Sequence, residues 1–132
     1  MTYAPTIMGN KMSDYIKTQL SEQFRTIAVE FNLEDNRIFA LNERINAEYD
    51  EAYMNGYNWA AFLRAYLSIY RPSLLELLEE DPEPGCYYVT YPLSEKSKEK
   101  AQELKKIIVY LVEHEEEILN FIGEHLDNIE WD

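Results

Sequence analysis

The chain of 132 residues reads as a small α+β domain. The expected sheet is three-stranded and antiparallel or mixed, in β-β-α-β-α order, with helices packed on one face. Three observations predict it. Two runs with apolar residues at alternate positions flank a short polar turn. An aromatic, β-favouring run stands by itself between prolines. Two longer segments repeat apolar residues at three and four positions. The length fits one domain spanning 1–132. Within it, 1–22 forms an N-terminal segment in which Met12, Tyr15, Ile16 and Leu20 have the spacing of a short helix.

The first strand is expected over 24–31, where Ile27, Val29 and Phe31 alternate with Ala28 and Glu30. Asn32-Leu33-Glu34-Asp35-Asn36 supplies a turn, because Asp and Asn bond their own backbone. A second strand over 38–49 places Phe39, Leu41, Ile45 and Tyr49 on one side, and the pair makes a hairpin. Glu43 interrupts that side, so the strand ends or bends there. Asn58 then caps a helix carrying Trp59, Phe62, Leu63, Tyr66, Leu67 and Tyr70. Pro72 disrupts it and starts a second short helix through Leu74, Leu75, Leu77 and Leu78.

Residues 79–85, E-E-D-P-E-P-G, read as a loop, since two prolines and a glycine permit little else. A third strand covers 86–91 and stops at Pro92. The last element begins at Ser94 and Glu95 and carries Leu104, Ile107, Ile108, Leu111 and Val112, then Ile118, Leu119, Ile122 and Leu126. Glu115 falls on its apolar stripe, so the helix either breaks near His114 or holds that carboxylate at the rim. A right-handed crossover sets the third strand parallel to the second, and beside the first it lies antiparallel.

Composition narrows the function. Twelve Lys and Arg against 25 Asp and Glu leave a net charge of −13, while 46% hydrophobic and 14% aromatic residues suffice for a folded core. Such a field repels phosphate backbones and anionic lipids, which argues against direct nucleic-acid or membrane binding and favours a basic protein partner. The lone Cys86 forms no internal disulfide, and the chain shows neither a signal-peptide pattern nor an apolar run of about 18 residues. A soluble, cytoplasmic protein is therefore expected.

No catalytic residue is assigned and no enzyme activity expected. His114 and His125, the two imidazoles, lack the spacing of paired metal ligands, and no metal or other cofactor is expected. Cys86 has no basic neighbour in sequence to stabilise a thiolate and reads as a structural thiol. In contrast, the segment Glu48 to Trp59 alternates acids with aromatics. It is either an interface for a basic protein or, at Tyr57 and Trp59, core. Trp59 is expected inside, with Tyr49 or Tyr53 exposed. The candidate partner-binding residues are Tyr49, Asp50, Glu51 and Tyr53, the loop acids Glu79, Glu80, Asp81 and Glu83, and Glu116 and Glu117 of the final helix. Acids accumulate after Lys106, where on one continuous helix they oppose the macrodipole; either solubility or a cationic partner accounts for them.

Asn55-Gly56-Tyr57-Asn58-Trp59 resembles the N-G-Y-x-W step of a group of bacterial polymorphic-toxin immunity proteins. Asp81-Pro82-Glu83-Pro84-Gly85, followed by an aromatic strand, is similar to that group's D-P-E-x-G turn. Met54 and Pro84 depart from the pattern, standing where the family more often has a glycine and a small residue. The resemblance covers 24–132 and implies a protein that binds and neutralises a cognate toxin, often a nuclease with a basic surface. Under it, Asn55, Gly56, Tyr57, Trp59, Asp81, Pro82 and Gly85 are motif residues with structural roles. The residues alone leave two other readings open: an acidic nucleic-acid mimic that inhibits a DNA-binding or restriction protein, and a small ligand-binding domain.

Overall fold

The computed structural model describes residues 13–132. The chain order is strand β1 (Ile16–Ser21), strand β2 (Thr26–Asn32), helix α1 (Asn36–Glu48), helix α2 (Gly56–Tyr70) and a 3₁₀ turn (Pro72–Leu75). Strand β3 (Glu79–Glu80), strand β4 (Cys86–Pro92), helix α3 (Glu95–Glu113), helix α4 (Glu115–His125) and a 3₁₀ turn (Leu126–Asn128) follow. The architecture is α+β, with a four-stranded sheet rather than three, ordered β1-β2-β4-β3 and antiparallel at every pairing.

Register explains the layering. Val29 stands opposite Val89, Ile27 opposite Tyr91 and Phe31 opposite Tyr87, and all six side chains are buried. Side chains two apart share a face, so this is the face that the helices cover. Helix α3 packs across β1, β2 and β4, and α2 packs against β4. The buried apolar residues form one cluster centred on Trp59, Tyr87, Tyr91, Phe31 and Phe62.

Strand β2 lies where alternation placed it, and strand β4 where the aromatic, β-favouring run placed it. Other expectations fail. Residues 38–49 are helical: Asp35 Oδ1 accepts from Arg37 N at 2.9 Å as the N-cap, and Ile38, Leu41 and Ile45 are the buried face. Phe39, expected inside, is 58% exposed. Without that strand there is no parallel pair among the described residues, while β4 docks antiparallel on β2, as expected of the third strand beside the first.

The N-terminal segment is likewise not a helix where it is described. Ile16 to Ser21 pairs with β2, burying Ile16 while Leu20 stays exposed. Met12 lies outside the described residues. Residues 79–85 are not all loop, since Glu79 and Glu80 add an edge strand and Glu83 bridges to Cys86.

Helix α2 starts a turn earlier than expected. Asn55, not Asn58, is the cap, its Oδ1 accepting from Asn58 N at 2.9 Å. Asn58 is instead buried within the first turn. Trp59, Phe62, Leu63 and Leu67 are buried, but the stripe leaves the core at its end, where Tyr66 is half-buried and Tyr70 exposed.

The last helix breaks at His114. That residue ends α3 and precedes α4, and its ring Nδ1 donates to Tyr110 O at 2.7 Å, satisfying a helix-end carbonyl. The break reverses the electrostatics expected of the acids beyond it. Glu115, Glu116 and Glu117 occupy the first turn of a new helix, where carboxylates favour the dipole. Among the described residues no helix is long and apolar enough to cross a membrane.

Candidate functional site

The two motif-bearing segments meet in space. Gly56 N donates to Pro84 O at 3.0 Å, and a Cβ on Gly56 would lie 1.8 Å from Glu83 O and 2.4 Å from Cys86 O. Only glycine fits that approach. The 83–86 turn is closed by reciprocal bonds, Glu83 N to Cys86 O at 2.9 Å and Cys86 N to Glu83 O at 3.1 Å. Leu33 N donates to Gly85 O at 3.0 Å, which ties the turn after β2 to the same point.

Side-chain amides hold the remaining wall. Asn58 Nδ2 donates to Tyr53 O at 2.8 Å, while its Oδ1 accepts from Asp132 N at 2.6 Å. Trp59 Nε1 donates to Asn42 Oδ1 at 3.0 Å, linking α2 to α1 through the core. Three stretches distant in sequence thus form one rigid frame, because buried polar groups must find partners.

The frame encloses an open groove of about 400 Å³. Helix α1 contributes Phe39, Asn42, Glu43 and Asn46; the opposite wall is Tyr53, Met54, Asn55, Pro84 and Gly85, with Leu33 and Glu34 at one end. Leu33 and Met54 are buried, whereas Tyr53 is 66% exposed and, like Phe39, presents its ring to solvent. A neighbouring hollow shares Glu34, Pro84 and Gly85 and adds Glu30, Asn32, Glu83 and Cys86.

Carboxylates dominate its electrostatics. Glu30 is paired with Lys17 at 3.3 Å, but among the described residues no cation pairs with Glu34, Glu43 or Glu83. The Cys86 thiol is pushed up to about 11, first by burial and then by Glu30, Glu83 and Glu34. It stays protonated near neutral pH, and neither histidine lines the groove. Among the described residues no cluster of His, Cys, Asp or Glu could hold a metal ion. Apolar floor, exposed rings and uncompensated carboxylates suit the grip of a protruding basic segment.

Two of the predicted partner-binding residues lie at this face. Tyr53 lines the groove and Glu83 the hollow beside it. Of the two tyrosines named as exposed candidates, Tyr53 is exposed, while Tyr49 is half-buried; its hydroxyl donates to Leu119 O at 3.3 Å and fastens α1 to α4. Asp50 and Glu51 are exposed on the turn that follows, held by Asn46 Nδ2 on the carbonyls of Tyr49 and Asp50 at 3.3 and 3.2 Å. Glu79 is exposed on the edge strand and Glu80 is paired with Arg64 at 2.6 Å. Asp81 is exposed, its N–H donating to Tyr88 O at 2.8 Å. Glu116 and Glu117 are exposed on α4.

Of the motif residues, Asn55 and Gly85 line the groove, Gly56 and Trp59 are buried, Pro82 is half-buried and Tyr57 is exposed. Sequence reasoning missed Glu34, Phe39 and Glu43. Their signal was Glu43 itself, a charge on a face expected to be apolar.

Residues 18–126 match a family model described as Immunity protein 51. No curated protein and no solved structure matches the chain.

Proposed function

The chain belongs to the Immunity protein 51 family, and on that premise we propose that it neutralises a cognate toxin by stoichiometric binding, without chemistry of its own. The groove between α1 and the 53–56 and 83–86 segments is the contact surface. Its occupant is a basic segment of the toxin, which acts in the cytoplasm and is inhibited by occlusion. The observation that carries this reading is the set Glu34, Glu43 and Glu83, left without cations beside the exposed rings of Phe39 and Tyr53. Asp50, Glu51, Glu79, Asp81, Glu116 and Glu117 are exposed and add to the negative field of the whole molecule, whereas Glu80 is paired with Arg64 and Tyr49 fastens α1 to α4. If the toxin is a nuclease, these carboxylates stand where phosphates would dock.

Steering by such a field raises association rates and makes them fall with salt. The variant E34K/E43K/E83K should therefore bind the cognate toxin about tenfold or more slowly, with a flattened salt dependence and reduced protection of cells expressing the toxin. These side chains are exposed, so the thermal midpoint should change little. Unchanged association and unchanged salt slope would remove the groove from the interface.

A further inference from the structure

We propose that Tyr66, Tyr70 and Tyr110, with the carboxylate of Glu117, form a second contact site that receives an arginine side chain of the toxin. This rests on the partner being a basic protein, as above, but uses a different surface, none of whose residues lines the groove.

The site arises where α2, α3 and α4 converge. Tyr66, Ile69 and Tyr70 are spaced to share one side of α2 near its end. The Tyr66 and Tyr70 rings lie 4.7 Å apart, and both abut Phe121 of α4, at 5.2 and 6.2 Å. Phe121 is buried and backs the cluster, whereas Tyr70 and Ile69 are 54% and 51% exposed. From α3, the Tyr110 hydroxyl donates to Glu117 Oε1 at 3.4 Å. Glu117 and Phe121 are four apart on α4 and so share one side of that helix, which sets the Tyr110–Glu117 pair beside the Tyr66 and Tyr70 rings.

Two features select the occupant. Among the described residues Glu117 has no cationic partner, so the cluster carries an uncompensated negative charge beside electron-rich ring faces. Cations are drawn to such faces, and a guanidinium, being planar and weakly hydrated, stacks on them better than an ammonium. A planar nitrogen ring already stacks within the cluster, His114 on Tyr110 at 4.1 Å, and a second, His125, lies tilted against Phe121 at 4.4 Å.

The test uses the full chain and two acetylated tripeptides, tri-arginine and tri-lysine, followed by NMR of the aromatic ring signals. Tri-arginine should shift the Tyr66, Tyr70 and Tyr110 rings saturably and more tightly than tri-lysine. Tyr70→Ala and Glu117→Gln should each weaken that binding about two- to fivefold. Equal binding of the two peptides, or tyrosine shifts unaffected by either substitution, would overturn the proposal. Shifts confined to Phe39 and Tyr53 would overturn it while supporting the groove. Shifts at the tyrosine site without any at Phe39 and Tyr53 would do the reverse.

Discussion

Gly56 carries two constraints, opening α2 and letting the 83–86 turn approach the helix end. The obstacle to any side chain is backbone, because Glu83 O lies 1.8 Å from where a Cβ would stand, and backbone cannot swing aside. Gly56→Ala should therefore cost at least about 3 kcal/mol, the upper end of overpacking effects, seen as a lower urea midpoint with an unchanged slope. Gly85 offers the contrast, since the nearest atoms to a Cβ there belong to the Glu34 side chain, at 3.1 Å, and that side chain is exposed. Gly85→Ala should cost about 1 kcal/mol or less. Cys86 gives a chemical readout of the same corner. With its thiol at about 11 against an ordinary 9.0, it holds about 100-fold less thiolate at neutral pH, so iodoacetamide should label it far more slowly than a free thiol. Labelling at the rate of a free thiol would show the corner to be open and less anionic than described.

Helix α1 supplies one wall of the groove, and its start depends on Asp35. The Arg37 side chain, then the backbone N–H of the same residue, hold the Asp35 carboxyl below its ordinary 3.8. A carboxyl depressed in the folded state contributes stability that is present above its unfolded value and lost as the pH falls through the folded one. Asp35→Ala should cost about 1 kcal/mol at pH 7, and the gap from the parent should narrow below about pH 4. Denaturant melts of both proteins across that range measure it, and a gap independent of pH would exclude a charged cap. The same helix shows why its sequence suggests a strand. Leu41 and Ile45 are four apart, which satisfies a period of two and of 3.6 alike, so Phe39 and Tyr49 decided for the wrong template while Ile38 pointed to the right one. Strand β2 was readable because Ile27, Val29 and Phe31 all face the helices. Strand β1 was not, since its exposed Lys17, Gln19 and Leu20 give an edge strand no clean alternation. His114 as a break point was foreseeable from Glu115 on the stripe, but the reversal of dipole that follows required seeing a second helix begin.

At the scale of the molecule, a net charge of −13 predicts the kind of partner but not where it docks. Part of the charge is neutralised internally: Glu115 by Arg44, Glu80 by Arg64, Glu103 by Arg71 and Glu30 by Lys17. The groove gathers three carboxylates, Glu34, Glu43 and Glu83, that lack such partners among the described residues, beside two exposed rings. They come from the turn after β2, from α1 and from the turn before β4, segments brought together through Gly56, Leu33 and Gly85 backbone bonds. No linear pattern could bring them together, although Tyr53 and Glu83 were identifiable from their acidic and aromatic surroundings. Hydrogen–deuterium exchange on the one-to-one complex with the cognate toxin tests this assignment most directly. Amides within 33–46, 53–56 and 83–86 should become protected relative to the free protein. A complex that protects other amides but leaves those three stretches unchanged would contradict it.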